Sequence, residues 1–330
     1  MKVFDLHADT MMDITNSMAK GERDVLARKH LPAYKKGDVG GLIYALWVPT
    51  TFEIIREFMP EDDPLAANEG TSQQIMMRML AASFREFHET SAVKLCHDTK
   101  EMEAAEKEGR IPVILGIEGF YGFEGEPDMI DMMYHLGFRH GMLTWNDDNE
   151  FASGAEFTGT DKGLTEKGVA VIKRMEQLGM LIDVSHASEK TFWDIVKNSS
   201  SPLMASHSNA WSLCQVPRNL KDDQIKAMAE RDGVIGMNGW LGFIEKDLKA
   251  DVDSLAAHAR YIADLVGHRH VGCGFDYADY LGENQLTPGL ETAAETQGFI
   301  EALARQGFTD SQIEDIAWNN AHRVIKAVLG

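Results

Sequence analysis

Met180-Leu-Ile-Asp-Val-Ser-His186 is an apolar run of strand length that ends on an imidazole. Ahead of it, between Gly163 and Leu178, the residues Val169, Ile172, Met175 and Leu178 recur at helical spacing, and Gly179 supplies the stop that such a helix needs. A helix that feeds a buried strand is one unit of an alternating α/β chain. The unit repeats in both directions. Strands are expected at Val3 to Asp9, Leu42 to Val48, Pro112 to Glu118, His140 to Thr144, Met180 to His186, Leu203 to His207, Val234 to Asn238 and His270 to Asp276. Asp222 to Arg231 repeats the amphipathic pattern and stops at Gly233. Eight such units predict parallel strands joined by crossover helices, closed into a (β/α)8 TIM barrel. An open, doubly wound sheet is the competing arrangement. The barrel is preferred because polar side chains sit at the C-terminal ends of many different strands, where a barrel gathers its active site. No glycine-rich phosphate loop follows the first strand, which weakens the dinucleotide-binding alternative.

The 330 residues are read as one barrel domain over residues 1–330, with a helical insertion around residues 50–110. There Met76, Leu80, Phe84 and Phe87 fall at helical spacing. The methionines of that region and of Asp128 to Met133 read as flexible core filling rather than as a groove for a partner. Thirty-two basic against 52 acidic residues leave a formal charge of −20 with no basic run, which excludes a general nucleic-acid binder. No apolar stretch of about eighteen residues offers a membrane span. Charges arrive too early in Met-Lys-Val-Phe-Asp-Leu-His for a signal peptide. Cys96, Cys214 and Cys273 are too few and too scattered for a disulfide framework or a Cys-x-x-Cys site, so a cytoplasmic location is expected.

The chemistry gathers at the strand ends. His7 and Asp9, two residues apart, point to one face of a strand and make half of a site for a divalent cation such as zinc. Alone, His-x-Asp is as easily a hydrogen-bonded structural pair. Later strand ends add Glu118, His186, His207 and Asp276. A carboxylate such as Glu118 can bridge two cations, with His7 and Asp9 serving one and His186 and His207 the other. Such a pair would hold a shared hydroxide, and Asp276 would orient it and carry a proton. The remaining histidines, His140 among them, have packing or solvent explanations, and Asp183 reads as structural.

The same segments resemble a known family. Asp-Leu-His-Ala-Asp, Gly-Gly-Leu-Ile-Tyr-Ala-Leu-Trp (Gly40 to Trp47), Gly-Ile-Glu-Gly, Gly-Met-Leu-Ile-Asp-Val-Ser-His (Gly179 to His186) and Ser-His-Ser-Asn-Ala resemble the renal, or membrane, dipeptidases, a branch of the amidohydrolase superfamily. So do Pro-Arg-Asn-Leu (Pro217 to Leu220), Gly-Leu-Glu (Gly289 to Glu291) and the Asn-Asn-Ala-His-Arg-Val near the C-terminus. The likeness spans nearly the whole chain, and it is to a bacterial-type member. It implies a (β/α)8 barrel with two zinc ions per subunit, held by His7, Asp9, Glu118, His186 and His207, with Glu118 bridging. It further implies a substrate-binding Arg218, a catalytic Asp276 and a homodimer. A guanidinium suits a dipeptide carboxylate, which its planar fork grips through two hydrogen bonds. Without its neighbours, Arg218 would read as a loop salt bridge.

Two departures stand out. Where the family often has a histidine after Leu-Thr, this chain has Trp145, which donates one hydrogen bond and cannot be protonated. Either Trp145 or Asn146 is expected to take over part of that histidine's contact with substrate. Where the family tends toward Asp-Phe-Asp-Gly, this chain has Asp276-Tyr277-Ala278-Asp279, so Asp279 inherits no role. The resemblance implies hydrolysis of dipeptides, including those with a D-residue at the C-terminal position. Hydrolysis of N-acyl amino acids, lactams or lactones by the same metals is the alternative, and a non-catalytic metal-binding barrel is the alternative of a different class.

Overall fold

The computed structural model describes residues 1–48, 70–277 and 287–330. Nine strands follow in chain order: β1 (Val3–Ala8), β2 (Val39–Trp47), β3 (Val93–Leu95), β4 (Ile111–Glu118), β5 (Phe138–Met142), β6 (Leu181–Asp183), β7 (Leu203–Ala205), β8 (Val234–Met237) and β9 (Val271–Cys273). Every pairing between them is parallel. The nine-residue β2 makes closure possible: it pairs with β1 from Val39 to Tyr44 and with β4 from Leu42 to Trp47. The other neighbours run β1, β9, β8, β7, β6, β5, β4, so eight strands close into the expected (β/α)8 TIM barrel. The ninth, β3, pairs with the first three residues of β4 and lies outside the ring.

Strands covered on both faces need apolar residues at nearly every position, which is why they read as short continuous runs rather than as alternation. Phe4 and Leu6 of β1, Ile43 of β2, Ile114 of β4, Leu181 of β6, Met204 of β7 and Val234 of β8 form one buried cluster with Ala321, Val324 and Ile325 of the last helix, Asn320–Leu329. That helix packs against the strand ends opposite those that carry the polar groups. At the other end backbones approach closely: a Cβ on Gly236 or Gly274 would lie 1.9 or 1.7 Å from the Ser206 carbonyl oxygen, so only glycine fits.

Three details differ from the sequence expectations. The strand ladders stop early, at Asp183, Ala205 and Cys273, so His186, His207 and Asp276 stand just beyond the strands that were expected to include them. The helix Glu166–Leu178 is capped by the Thr165 side chain and by a left-handed Gly179, as its pattern predicts. Its buried face, however, is Val171, Ile172 and Met175, with Val169 and Leu178 only half-buried. Among the described residues, the connection between β2 and β4 holds two helices, Ser72–Glu89 and Thr99–Lys107, with the short β3 between them. Residues 49–69 of that connection, and Asp279, lie outside the described residues.

Candidate metal centre and active site

Strand ends deliver the polar groups. His7 lies in β1 and Asp9 follows its last residue, and the two side chains converge at 3.6 Å between His7 Nε2 and Asp9 Oδ1. Glu118, the last residue of β4, places Oε2 at 3.2 Å from His7 Nε2. Its other oxygen, Oε1, is 2.9 Å from His186 Nε2 and 3.6 Å from His207 Nε2. The His186 and His207 Nε2 atoms are themselves 2.9 Å apart. Asp276 closes the ring with Oδ1 at 3.8 Å from His7 Nε2. All six predicted centre residues therefore meet at the mouth of the barrel.

Their backbones are bent to reach it. His186 and Asp276 have positive φ, +63° and +58°, a left-handed conformation that a histidine or aspartate adopts at some cost. Each sits after a strand whose ladder has stopped, so no sheet hydrogen bond is broken by the turn.

The donor set fits divalent cations. His7 Nε2 and Asp9 Oδ1 are buried and make no aligned hydrogen bond among the described residues, only the charge pairs with Glu118 and with each other. Buried polar atoms are rarely left so, and a cation in contact with them satisfies them. The ring nitrogens facing away are held: Asn146 Oδ1 lies 2.7 Å from His186 Nδ1, and Ser206 Oγ lies 2.7 Å from His207 Nδ1. An amide oxygen only accepts, so His186 carries its hydrogen on Nδ1 and keeps the Nε2 lone pair for the cluster. Two groups of residues have ligand atoms close enough to share an ion: the buried His7, Glu118 and His207, and the buried His7 with the half-buried Asp9 and Asp276.

Charge and burial compete here. Burial drives the Glu118 and Asp276 carboxyls above the usual carboxylate range, with the neighbouring acids adding to it and His7 opposing. His7 goes the other way from what burial alone would impose, because Glu118 and Asp9 hold its proton. Burial, with the positive charge of Arg218 and His7 nearby, pushes His186 and His207 well below the normal imidazole value, so both are neutral and able to ligate.

Arg218 sits 2% exposed in the loop after β7 and donates from Nη2 to the His207 carbonyl at 3.1 Å. Its guanidinium lies over the Phe243 ring at 5.3 Å, its Nε has no hydrogen-bond partner, and it forms no ion pair among the described residues. Among the described residues nothing supplies the loop salt bridge that could have explained this arginine. Burial lowers its pKa to about 10, which leaves it charged at neutral pH. A cavity of about 340 Å³ opens beside Arg218 and His186, walled by Phe157, Val184, Trp211 and Leu220. Trp145 packs between Trp47 and the His186 ring, at 5.3 and 5.9 Å between ring centres.

The model for the membrane dipeptidase family, peptidase family M19, matches residues 1–329. The chain belongs to that family. Among curated relatives, a protein from the pqqA 5′ region of Klebsiella pneumoniae is 34% identical over 255 residues, 73% of this chain and 91% of its own. The dipeptidase verJ of Clonostachys rogersoniana is 27% identical over 308 residues, 92% of this chain and 76% of its own. The fold agrees with two solved structures at a TM-score of 0.85: dipeptidase AC, an M19 metallopeptidase, with 21% identity over 100% of this chain and 99% of that one. The second is a metallopeptidase from Rhodobacter sphaeroides bound to a phosphinate mimic of L-Ala-D-Ala, with 22% identity over 99% of each chain. As an M19 member the protein is a metal-dependent hydrolase of dipeptides.

Two further groups beside this M19 site, Asn238 and Asp5, were not anticipated from the sequence. Asn238 follows the last residue of β8, and its Nδ2 donates to Asp276 Oδ2 at 3.0 Å. The signal was present, since a polar residue ends an apolar run just as His207 and Asp276 do, but an amide is a poor metal ligand and drew no notice. Asp5 is fully buried in β1, where its Oδ1 accepts from the amides of His7 at 3.2 Å and Phe275 at 3.0 Å. It thereby ties the strand that carries His7 to the one that leads to Asp276. Asp183 is structural, as expected: it pairs with the buried His140 at 2.7 Å and accepts from the amides of Ser185 and Ser206.

Proposed function

We propose that the protein hydrolyses the peptide bond of dipeptides at a centre of two zinc ions, with Glu118 bridging, His7 and Asp9 on one side, and His186 and His207 on the other. The observation that carries this reading is the split of one carboxylate: Glu118 turns Oε2 to His7 and Oε1 to the histidine pair. A bound pair of cations supplies polarisation of the substrate carbonyl and a water acidic enough to attack near neutral pH. The chain's own residues do the rest. Arg218, buried with no ion pair among the described residues, grips the substrate's C-terminal carboxylate. Asp276 takes a proton from the attacking water and delivers it to the departing amine as the C–N bond breaks. Trp145 walls the substrate side of His186, and Asn146 holds the His186 ring in its ligating orientation.

The mimic bound by the Rhodobacter sphaeroides enzyme ends in D-Ala, which supports acceptance of a D-residue at the C-terminal position here. The cavity beside Arg218 gives that residue's side chain a place. We read the whole chain as one barrel domain in which the segment between β2 and β4 is a helical insertion. No helix among the described residues is long and apolar enough to cross a membrane, and all three cysteines are free and buried, which supports a cytoplasmic protein. A homodimer rests on family likeness, and sedimentation tests it.

The deciding assay loads the purified protein with zinc, counts the metal by elemental analysis, and compares L,L- and L,D-dipeptides with N-acyl amino acids, lactams and lactones. Turnover confined to dipeptides supports the reading. Preference for acyl amino acids or lactones assigns the centre to another substrate, and full turnover in demetallated protein overturns it.

A further inference from the structure

Asp276 has two carboxyl oxygens in different surroundings. Oδ1 faces the cluster, 3.8 Å from His7 Nε2, while Oδ2 accepts from Asn238 Nδ2 at 3.0 Å. Which end of the Asn238 amide faces the aspartate is fixed by its other neighbours, and Nδ2 also donates to the His207 carbonyl, an acceptor only, at 3.4 Å. The Trp240 backbone N–H, a donor only, points at Asn238 Oδ1 from 2.6 Å, so the NH2 end must lie toward Asp276. Asn238 is itself clamped. Its backbone N–H donates to Asn209 Oδ1 at 3.0 Å and its carbonyl accepts from Asn209 Nδ2 at 2.9 Å, a reciprocal pair in which both residues are fully buried.

We propose that Asn238, clamped by Asn209, is a positioning residue that locks the Asp276 carboxyl with Oδ1 toward the reacting atoms and reserves Oδ2 as a permanent acceptor. The proposal rests on the reading of Asp276 as the proton carrier. An oxygen that accepts from an amide N–H is not the one that carries hydrogen toward a substrate, so proton traffic is confined to Oδ1. The lock also explains how Asp276 tolerates its place in the fold. It stands at φ +58° after the last strand and needs a side-chain anchor to hold one rotamer there.

Two substitutions of similar size separate the donor from mere support of the loop. Asn238→Asp keeps an acceptor for the Trp240 N–H and removes the amide donor to Asp276 and to the His207 carbonyl, whereas Asn238→Leu removes donor and acceptor together. The expected result is that both variants retain two zinc ions and a KM within about threefold, while kcat falls about tenfold to a hundredfold, the worth of one hydrogen bond to a charged group. In an Asp276→Asn background, Asn238→Asp should lower the residual rate no further, because its effect runs through Asp276. Crystals of Asn238→Leu should show the Asp276 carboxyl turned from its present rotamer, a readout independent of substrate. The proposal is overturned if only the Leu variant loses turnover, if loss merely follows metal content, or if the carboxyl stays in place. Failure of the wild-type protein to cleave any dipeptide would instead overturn the dipeptidase reading, and the rotamer measurement would still judge the lock.

Discussion

Glu118 stands 3.2 Å from His7 through one oxygen and 2.9 Å from His186 through the other, so a single side chain joins the first strand's histidine to the later pair. Glu118→Gln replaces one of those oxygens by an NH2 that cannot ligate. The expected outcome is loss of at least one metal per subunit and a fall in turnover of more than about a hundredfold, larger than removal of an outer-shell partner brings. Elemental analysis beside the dipeptide assay checks it. Retention of both ions would mean that Glu118 is not the bridge.

Metal binding should release protons. His7 and Glu118 both hold their protons to higher pH than usual in the metal-free cluster, while His186 and His207 are already neutral. A cation must displace the bound protons before it can ligate, so affinity rises with pH until His7 and Glu118 are deprotonated. Titration calorimetry with zinc at pH 7, in two buffers of different ionisation enthalpy, should report release of at least one proton per chain. Binding with no proton release contradicts the stated protonation of His7 and Glu118.

Asp276→Asn keeps the size of the side chain and removes its ability to carry a proton. Metal content should be unchanged and kcat should drop by about 10²- to 10⁴-fold, the usual share of a general acid and base. If the variant instead lost metal and kept its turnover per bound ion, Asp276 would be a ligand.

Arg218→Met removes a buried charge while keeping the length of the stem. Removing the fork that holds a carboxylate should lower kcat/KM for dipeptides by about 2 kcal/mol, on the order of thirtyfold. The loss should vanish for dipeptide amides, which lack the carboxylate. Equal losses on acids and amides would place Arg218 in structural support.

Breaking the His140 and Asp183 pair should act on stability before chemistry. Both side chains are fully buried and 2.7 Å apart, and His140→Ala leaves Asp183 with its two backbone donors alone. A loss of about 3 kcal/mol or more is expected in denaturant melts, with metal per folded molecule unchanged. A melt within about 0.5 kcal/mol of wild type would show that the pair does not hold the β5 and β6 ends together.

The amino-acid sequence by itself determined the alternation of strands and helices, and hence the barrel, because a parallel strand covered on both faces must be apolar at nearly every position. It also brought the candidate centre residues to strand ends, because a barrel gathers imidazole and carboxylate groups placed at the ends of such runs. Tertiary structure alone decided which Glu118 oxygen faces which histidine, that Asn146 turns to His186, that Arg218 is buried with no ion pair among the described residues, and that Asn238 donates to Asp276. Those facts depend on distances between segments dozens of residues apart and on side-chain rotamers. Periodicity along a chain carries neither. The strand ends themselves show the division: the sequence places His186 and Asp276 at the close of their strands, and the fold stops each ladder early and turns the backbone left-handed so that the side chains reach the centre.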